Sequence, residues 1–337
     1  ASVILAGSPE RPRGRVTAKA ASVSYGLQSL ETLTLSAELQ DNDRLTGKLA
    51  ATRLVYGQQQ LGDMDYALSG TLTEHRSRLE LNGGVVAVRL AATGGWDGKT
   101  LIQRFDVGQI TPEGFDSWQL QRNPELLVSA AGGQVGEHCW KQQRAGICVA
   151  ARRWDSETLQ TAVRIDDFAL ATLKPLLAEG YSIDGTINAD LELMHNPAGL
   201  QASLEWRQSR TLLAYADEID KFQTELDAVN IDLHSDQTET RLTASLSGEQ
   251  GLNLTATAKV TGPLEEDSPL RAEARGRLPS IEQLRPLVQR VVQPGEMQGE
   301  LTVDLDVAGN LGNPIFTGGA QFTNGSLELL DAGITLS

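Results

Sequence analysis

Gly185 to Leu193 reads GTINADLEL, and its side chains alternate: Ile187, Ala189, Leu191 and Leu193 fall on one side of an extended chain, Asn188, Asp190 and Glu192 on the other. Successive side chains of a strand point to opposite faces, so the stretch predicts a half-buried strand with one apolar and one wetted face. The same period recurs in TLTLSAEL (Leu33, Leu35, Ala37, Leu39), DMDYALSGTL (Met64, Tyr66, Leu68, Leu72) and VVAVRLAA (Val86, Val88, Leu90). It returns in VNIDLHS (Val229, Ile231, Leu233), LNLTATAKV (Leu252, Leu254, Ala256, Val260) and ELTVDLDV (Leu301, Val303, Leu305, Val307). Turn-forming clusters such as DND, NGG, GGWDG, HNPAG and TNG separate these runs, so the chain reads as strand after strand.

Composition narrows the function classes. The 337 residues are 40% hydrophobic but only 5% aromatic, a balance that suits thin, repetitive packing better than one bulky core. A formal charge of −15 repels phosphate backbones, and no basic cluster interleaved with aromatics offsets it, so nucleic acid is excluded as a partner. The same acidity argues against adsorption to anionic headgroups, leaving acyl chains as the means of any lipid contact. No run reaches the roughly 18 apolar residues of a spanning helix, and ASVILAGSPE is not a signal peptide. The apolar start and the uncapped GITLS end read as part of a longer protein, with any anchor outside this chain.

Chemistry-bearing residues are few. Cys139 and Cys148 stand in CWKQQRAGIC, where a hairpin reversal near Gly146 would face the two sulfurs across paired strands. A disulfide in an oxidising compartment is the expectation; a metal site with His138 as third ligand, and two reduced thiols, are the alternatives. His75, His138, His195 and His234 are isolated, and no nucleophile elbow, zinc-protease or phosphate-loop motif occurs, so no catalytic residue and no cofactor is expected. Asp166 and Asp167 adjoin a predicted helix start and are expected as N-terminal capping charges. The tryptophans read as packing anchors at strand edges.

Helical text is confined to two stretches. Ser280–Val292 carries Ile281, Leu284, Leu287, Val288 and Val291 on one stripe, with Ser280 and Gln283 as a capping box and Pro286 as a kink; Phe168–Glu179 carries Leu173, Leu176 and Leu177 beside Pro175. Both are expected to be short amphipathic helices packed on a sheet. They also open an internal repeat. LATLKPLL (170–177) matches IEQLRPLV (281–288), and SIDGTINADLEL (182–193) matches EMQGELTVDLDV (296–307), aligning Gly185 with Gly299 and Asp190 with Asp304. The expected organisation is a β-rich segment over 1–165 including the cysteine hairpin, a first repeat unit over 166–279, and the start of a second over 280–337.

The run VAGNLGNPIFTGGAQFTNGSLELLDAGITLS, Val307 to Ser337, resembles the signature of TamB/AsmA-like envelope proteins, and the order GGWDGKTLIQRFDVG, FDSWQLQRNPELLV and the Cys pair fits the same family. The likeness covers Gly94 to the end; residues 1–93 match in strand text alone. It implies a module anchored in the inner membrane and crossing the periplasm to a TamA-like outer-membrane protein. It also implies phospholipid carried along a hydrophobic groove, or assembly of outer-membrane proteins such as autotransporters.

The expected fold is therefore all-β: an elongated, twisted, U-shaped sheet around an apolar groove, with a few short amphipathic helices. The lining residues expected from the clearest alternation are Ile187, Leu191, Leu193, Leu252, Leu254, Leu301, Val303 and Leu305. Two alternatives stand beside it: an ordinary dry core under a second sheet, and a scaffold offering free strand edges to unfolded outer-membrane strands.

Overall fold

The computed structural model describes residues 2–8, 11–40, 43–177, 180–216, 221–284, 294–329 and 334–336. They fall into two compact units, Ala1–Glu157 and Thr158–Ser337. The chain is all-β, with no α-helix among the described residues.

The first unit begins with β1 (Ser2–Ser8), β2 (Arg11–Tyr25), β3 (Gln28–Leu39), β4 (Arg44–Tyr56), β5 (Gln59–Thr71), β6 (His75–Asn82), β7 (Val86–Trp96) and β8 (Thr100–Pro112). Each pairs antiparallel with the next in a meander. The β2–β3 turn has only Gly26 and Leu27 between the strands. Gly26 sits at φ +57, the left-handed conformation that a twisted two-residue hairpin requires. Beyond β8 the ladder divides. Its end meets β9 (Trp118–Leu120) and its start meets β10 (Glu125–Ser129). β11 (Gly132–Val135), β12 (His138–Gln142) and β13 (Ala145–Trp154) extend the two branches.

In the second unit, β14 (Leu159–Ala169), β16 (Thr186–Asn196), β17 (Gly199–Gln208), β19 (Lys221–Ser235), β20 (Glu239–Gly248), β21 (Asn253–Thr261), β22 (Pro269–Leu278), β24 (Glu300–Asn310) and β25 (Asn313–Thr323) pair in that order. β15 (Tyr181–Asp184) pairs with β18 (Thr211–Ala216), which takes the first half of β19 while β17 takes the second. β23 (Pro294–Met297), β26 (Leu327–Leu329) and β27 (Ile334–Leu336) form a small separate sheet.

The two stretches matched in the sequence have the same local build. The Leu170 N–H donates to the Gly185 carbonyl and the Ile281 N–H to the Gly299 carbonyl, each at 2.9 Å. β15 precedes Gly185 and pairs with β18; β23 precedes Gly299 and pairs with β26. Leu170 and Ile281 are both buried. Gly185 and Gly299 lie at φ +138 and +113, where an L side chain is strained.

In place of the amphipathic helix expected over Phe168–Glu179, Leu170–Leu176 forms a 3-10 segment between the extended residues Ala169 and Leu177. Pro175 has no N–H to give a helical ladder, and the Leu170 N–H, which a helix would leave free in its first turn, donates to the Gly185 carbonyl. Ile281–Leu284 is a second turn. The Gln283 side chain and residues 285–293, with Pro286, Leu287, Val288 and Val291, lie outside the described residues. Asp166 and Asp167 cap nothing: no acidic side chain lies in the first turn, and Ala169 makes no side-chain cap. They form a β-bulge between Ile165 and Phe168, with Asp167 at φ +47 and its N–H donating to Asn188 Oδ1 at 2.9 Å.

Candidate functional site: an apolar sheet face and its polar notch

Register carries the alternation across strands. In the second unit one cross-strand row runs Val163, Leu191, Leu204, Leu233, Leu242, and onward through Ala258 and Ala272 to Val307. The next row passes Ala189, Trp206 and Ile231 and reaches Leu305 through Ala256 and Ala274. The alanines of β21 and β22 thus make a shallow floor between the larger side chains of β20 and β24. Of the expected lining residues, Ile187, Leu191, Leu193, Leu254, Leu301, Val303 and Leu305 fall on this one face. Leu252 does not belong to the ladder: it closes the 3-10 turn Glu249–Gly251, with its carbonyl accepting the Gly248 N–H.

Most of this face is half-buried. Ile187 is 6% exposed but Leu254 is 40% exposed, and among the larger side chains of the described residues Thr211 is the one below 2%. A sandwich core would bury most inward residues almost fully. The accessible surface of the 36.3 kDa chain is 20,939 Å², whereas two separate globules of half that mass would expose about 16,000 Å² together. Among the described residues no second sheet packs on this face, in keeping with that excess.

The opposite face is polar and laced with cross-strand ion pairs: Arg164 with Asp190 at 2.8 Å, Arg207 with Asp232 at 2.5 Å, and Arg275 with both Asp304 and Asp306 at 2.8 and 2.9 Å. These are solvent-exposed contacts that set register more than stability. Guanidinium hydrogen bonds hold the Glu38, Glu80, Glu225 and Glu300 carboxyls below their usual range. Asp236 is held down to about 2 by the Thr238 hydroxyl and the backbone N–H groups of Thr238 and Glu239.

The first unit repeats the arrangement, with Leu35, Leu49, Tyr66, Leu79 and Leu90 in one cross-strand row. Here the apolar face carries a half-open cavity of about 540 Å³ lined from β4 to β8. It contains a polar notch that the sequence does not announce. His75, 6% exposed, sits in a row between Gly70 and Gly94, and Gln103 follows Gly94. Gln103 Nε2 reaches His75 Nε2 at 2.5 Å and the Ser77 hydroxyl donates to Gln103 Oε1 at 3.4 Å. A Cβ on Gly94 would lie 2.0 Å from the Ile102 carbonyl oxygen and 2.7 Å from Gln103 Nε2, so the close backbone approach already requires glycine there. The signal was available in HRSRLEL: His75 and Ser77 hold the inward phase set by Leu79 and Leu81.

Cys139 and Cys148 form the expected disulfide, opposite each other in the β12–β13 ladder. That removes both from metal binding, and the His138 Nδ1 lies 3.0 Å from the Gly136 carbonyl. Among the described residues no group of three or more His, Cys, Asp or Glu is placed to hold a metal, and no helix is long and apolar enough to cross a membrane.

Neither the curated proteins nor the solved structures contain a significant match to this chain. One family profile, described as TamB, N-terminal domain, matches residues 1–321, taking in residues 1–93 where only strand text had been legible. An uncovered apolar β face, a polar reverse and a match over nearly the whole length agree, and the chain belongs to the TamB family.

Proposed function

We propose that the apolar faces of the two units carry phospholipid acyl chains between the inner and outer membranes, as part of an inner-membrane-anchored, periplasmic protein whose far end meets a TamA-like outer-membrane partner. The observation that carries this reading is the half-exposed apolar face itself. Rows of Leu, Val, Ile and Ala persist from strand to strand although, among the described residues, no covering layer buries them. An acyl chain laid on such a face gains about 0.8 kcal/mol for each methylene withdrawn from water, enough to hold a lipid reversibly without any reaction. Headgroups remain in solvent. A carboxylate at Leu191 or Leu305 would have to be desolvated by every passing chain. Leu191→Asp and Leu305→Asp in the full-length protein are therefore expected to abolish phospholipid delivery to the outer membrane while leaving protein level unchanged. Unimpaired delivery in both variants would reject the reading.

A specific observation favours a second reading, a scaffold for outer-membrane β-proteins. Among the described pairings β25 meets only β24, and Asn313 to Gln321 are all exposed, with Phe316 at 65%. An incoming strand could add to that edge by backbone hydrogen bonds. In that case the Leu191 and Leu305 charges would be tolerated, and proline substitution in β25 would be damaging.

A further inference from the structure

We propose that Gln103, steadied by His75 and Ser77, donates a hydrogen bond to the ester carbonyl of a glycerolipid whose acyl chain lies in the cavity between β4 and β8. This rests on the lipid-carrying reading above and gives it a docking point.

An amide nitrogen only donates, so with Gln103 Nε2 toward the ring His75 Nε2 accepts, and the other ring nitrogen is Nδ1. That Nδ1 is buried and has no hydrogen-bond partner among the described residues. Leucines at these positions would satisfy the apolar face without leaving a buried ring nitrogen unpaired, so stability does not explain the cluster. Two glycines, Gly70 and Gly94, flank the histidine in its cross-strand row. The Gln103 amide has a second N–H beyond the one given to His75, and Gln103 lines the cavity.

The lining selects the acceptor. It contains Tyr66, Leu68, Leu79, Leu90 and Phe105 but no Lys or Arg, so a phosphate could enter only with its charge uncompensated. A neutral carbonyl has no such penalty. The notch also stands at the sheet's rim, since His75 opens β6 directly after the turn 72–74. A lipid bonded there by its ester group would place its acyl chain over Tyr66, Leu79 and Leu90 and its headgroup beyond the rim, in water.

The test uses the purified full-length protein with a photoreactive residue at Leu79, incubated with dioleoyl phosphatidylethanolamine or with the dialkyl ether analogue of the same headgroup and chain length. The ether lipid lacks the carbonyl. Wild type is expected to give about two- to tenfold more adduct with the diester, the range of one neutral hydrogen bond. Gln103→Leu is expected to equalise the two lipids by lowering the diester yield alone, and Ser77→Ala to fall between. Equal yields in the wild type, or a preference that survives Gln103→Leu, would overturn the notch while leaving the apolar face as a carrier. No lipid adduct with either compound, or adducts to polypeptide only, would overturn both.

Discussion

Replacing Gly185 with alanine isolates what the β15–β16 corner contributes. At φ +138 the residue occupies a region that side chains avoid, and an added Cβ would lie 2.5 Å from Thr211 Oγ1 and 2.9 Å from the Arg210 carbonyl. Thr211 cannot retreat easily. It is 1% exposed, its hydroxyl donates to the Ser209 carbonyl at 2.9 Å, and it accepts from Gln208 Nε2 at 2.8 Å. Backbone strain of about 1–3 kcal/mol and overpacking of a similar size together give about 3 kcal/mol. Gly26→Ala is the control, because Gly26 is left-handed at φ +57 with nothing within 4 Å of a Cβ, which limits its penalty to about 1–2 kcal/mol. Native-state hydrogen exchange resolves the two sites. Amides of residues 181–184 and 211–216 should exchange roughly a hundredfold faster in Gly185→Ala, and those of β2 and β3 only about tenfold faster in Gly26→Ala. Exchange at the corner within a few-fold of wild type would refute the steric account and, with it, the structural role of the repeat.

Three further outcomes follow from the same coordinates. Reducing the Cys139–Cys148 disulfide, which spans a sequence separation of 9, should destabilise the β12–β13 hairpin by about 2–3 kcal/mol; exchange measured with and without reductant checks this, and unchanged exchange at 138–149 would contradict it. Carboxyls whose pKa is depressed on folding add stability above their unfolded pKa and lose it as pH falls through the folded value. Thermal stability should therefore fall on acidification below the ordinary Glu value of 4.5, continuing toward the value of about 2 at Asp236; a midpoint independent of pH between 5 and 2 would count against these contacts. Arg275→Ala removes exposed pairs to Asp304 and Asp306 and should leave the unfolding midpoint unchanged; a large drop in urea denaturation would mean the polar face does more than keep register.

How much of this was legible in the sequence depends on range. Strand identity and facing were readable because period two is a local property: Leu191, Val303 and Leu305 needed only their own strands to be assigned a side. The Gly185–Gly299 correspondence was readable as a repeat, though not that each glycine's carbonyl captures the N–H of the preceding 3-10 turn. The helix expected over 168–179 failed because an apolar stripe at helical spacing says nothing about whether Pro175 leaves the ladder short of a donor. Asp167 failed for a related reason: a bulge partner such as Asn188 lies 21 residues away. Leu252 kept the alternating phase but left the strand, because the turn at Glu249–Gly251 intervenes. The absence of a covering layer and the meeting of His75 with Gln103 depend on register over several strands, and no single stretch encodes them.

The central claim is that the uncovered apolar face touches lipid. It is tested most directly by site-specific photo-crosslinking in living cells, with the photoreactive residue placed at Leu191 or Leu305 and, as controls on the opposite face, at Asp190 or Asp304. Phospholipid adducts at Leu191 and Leu305 and none at Asp190 and Asp304 are predicted. Adducts to polypeptide alone at the apolar positions, or lipid adducts equal on both faces, would contradict the account.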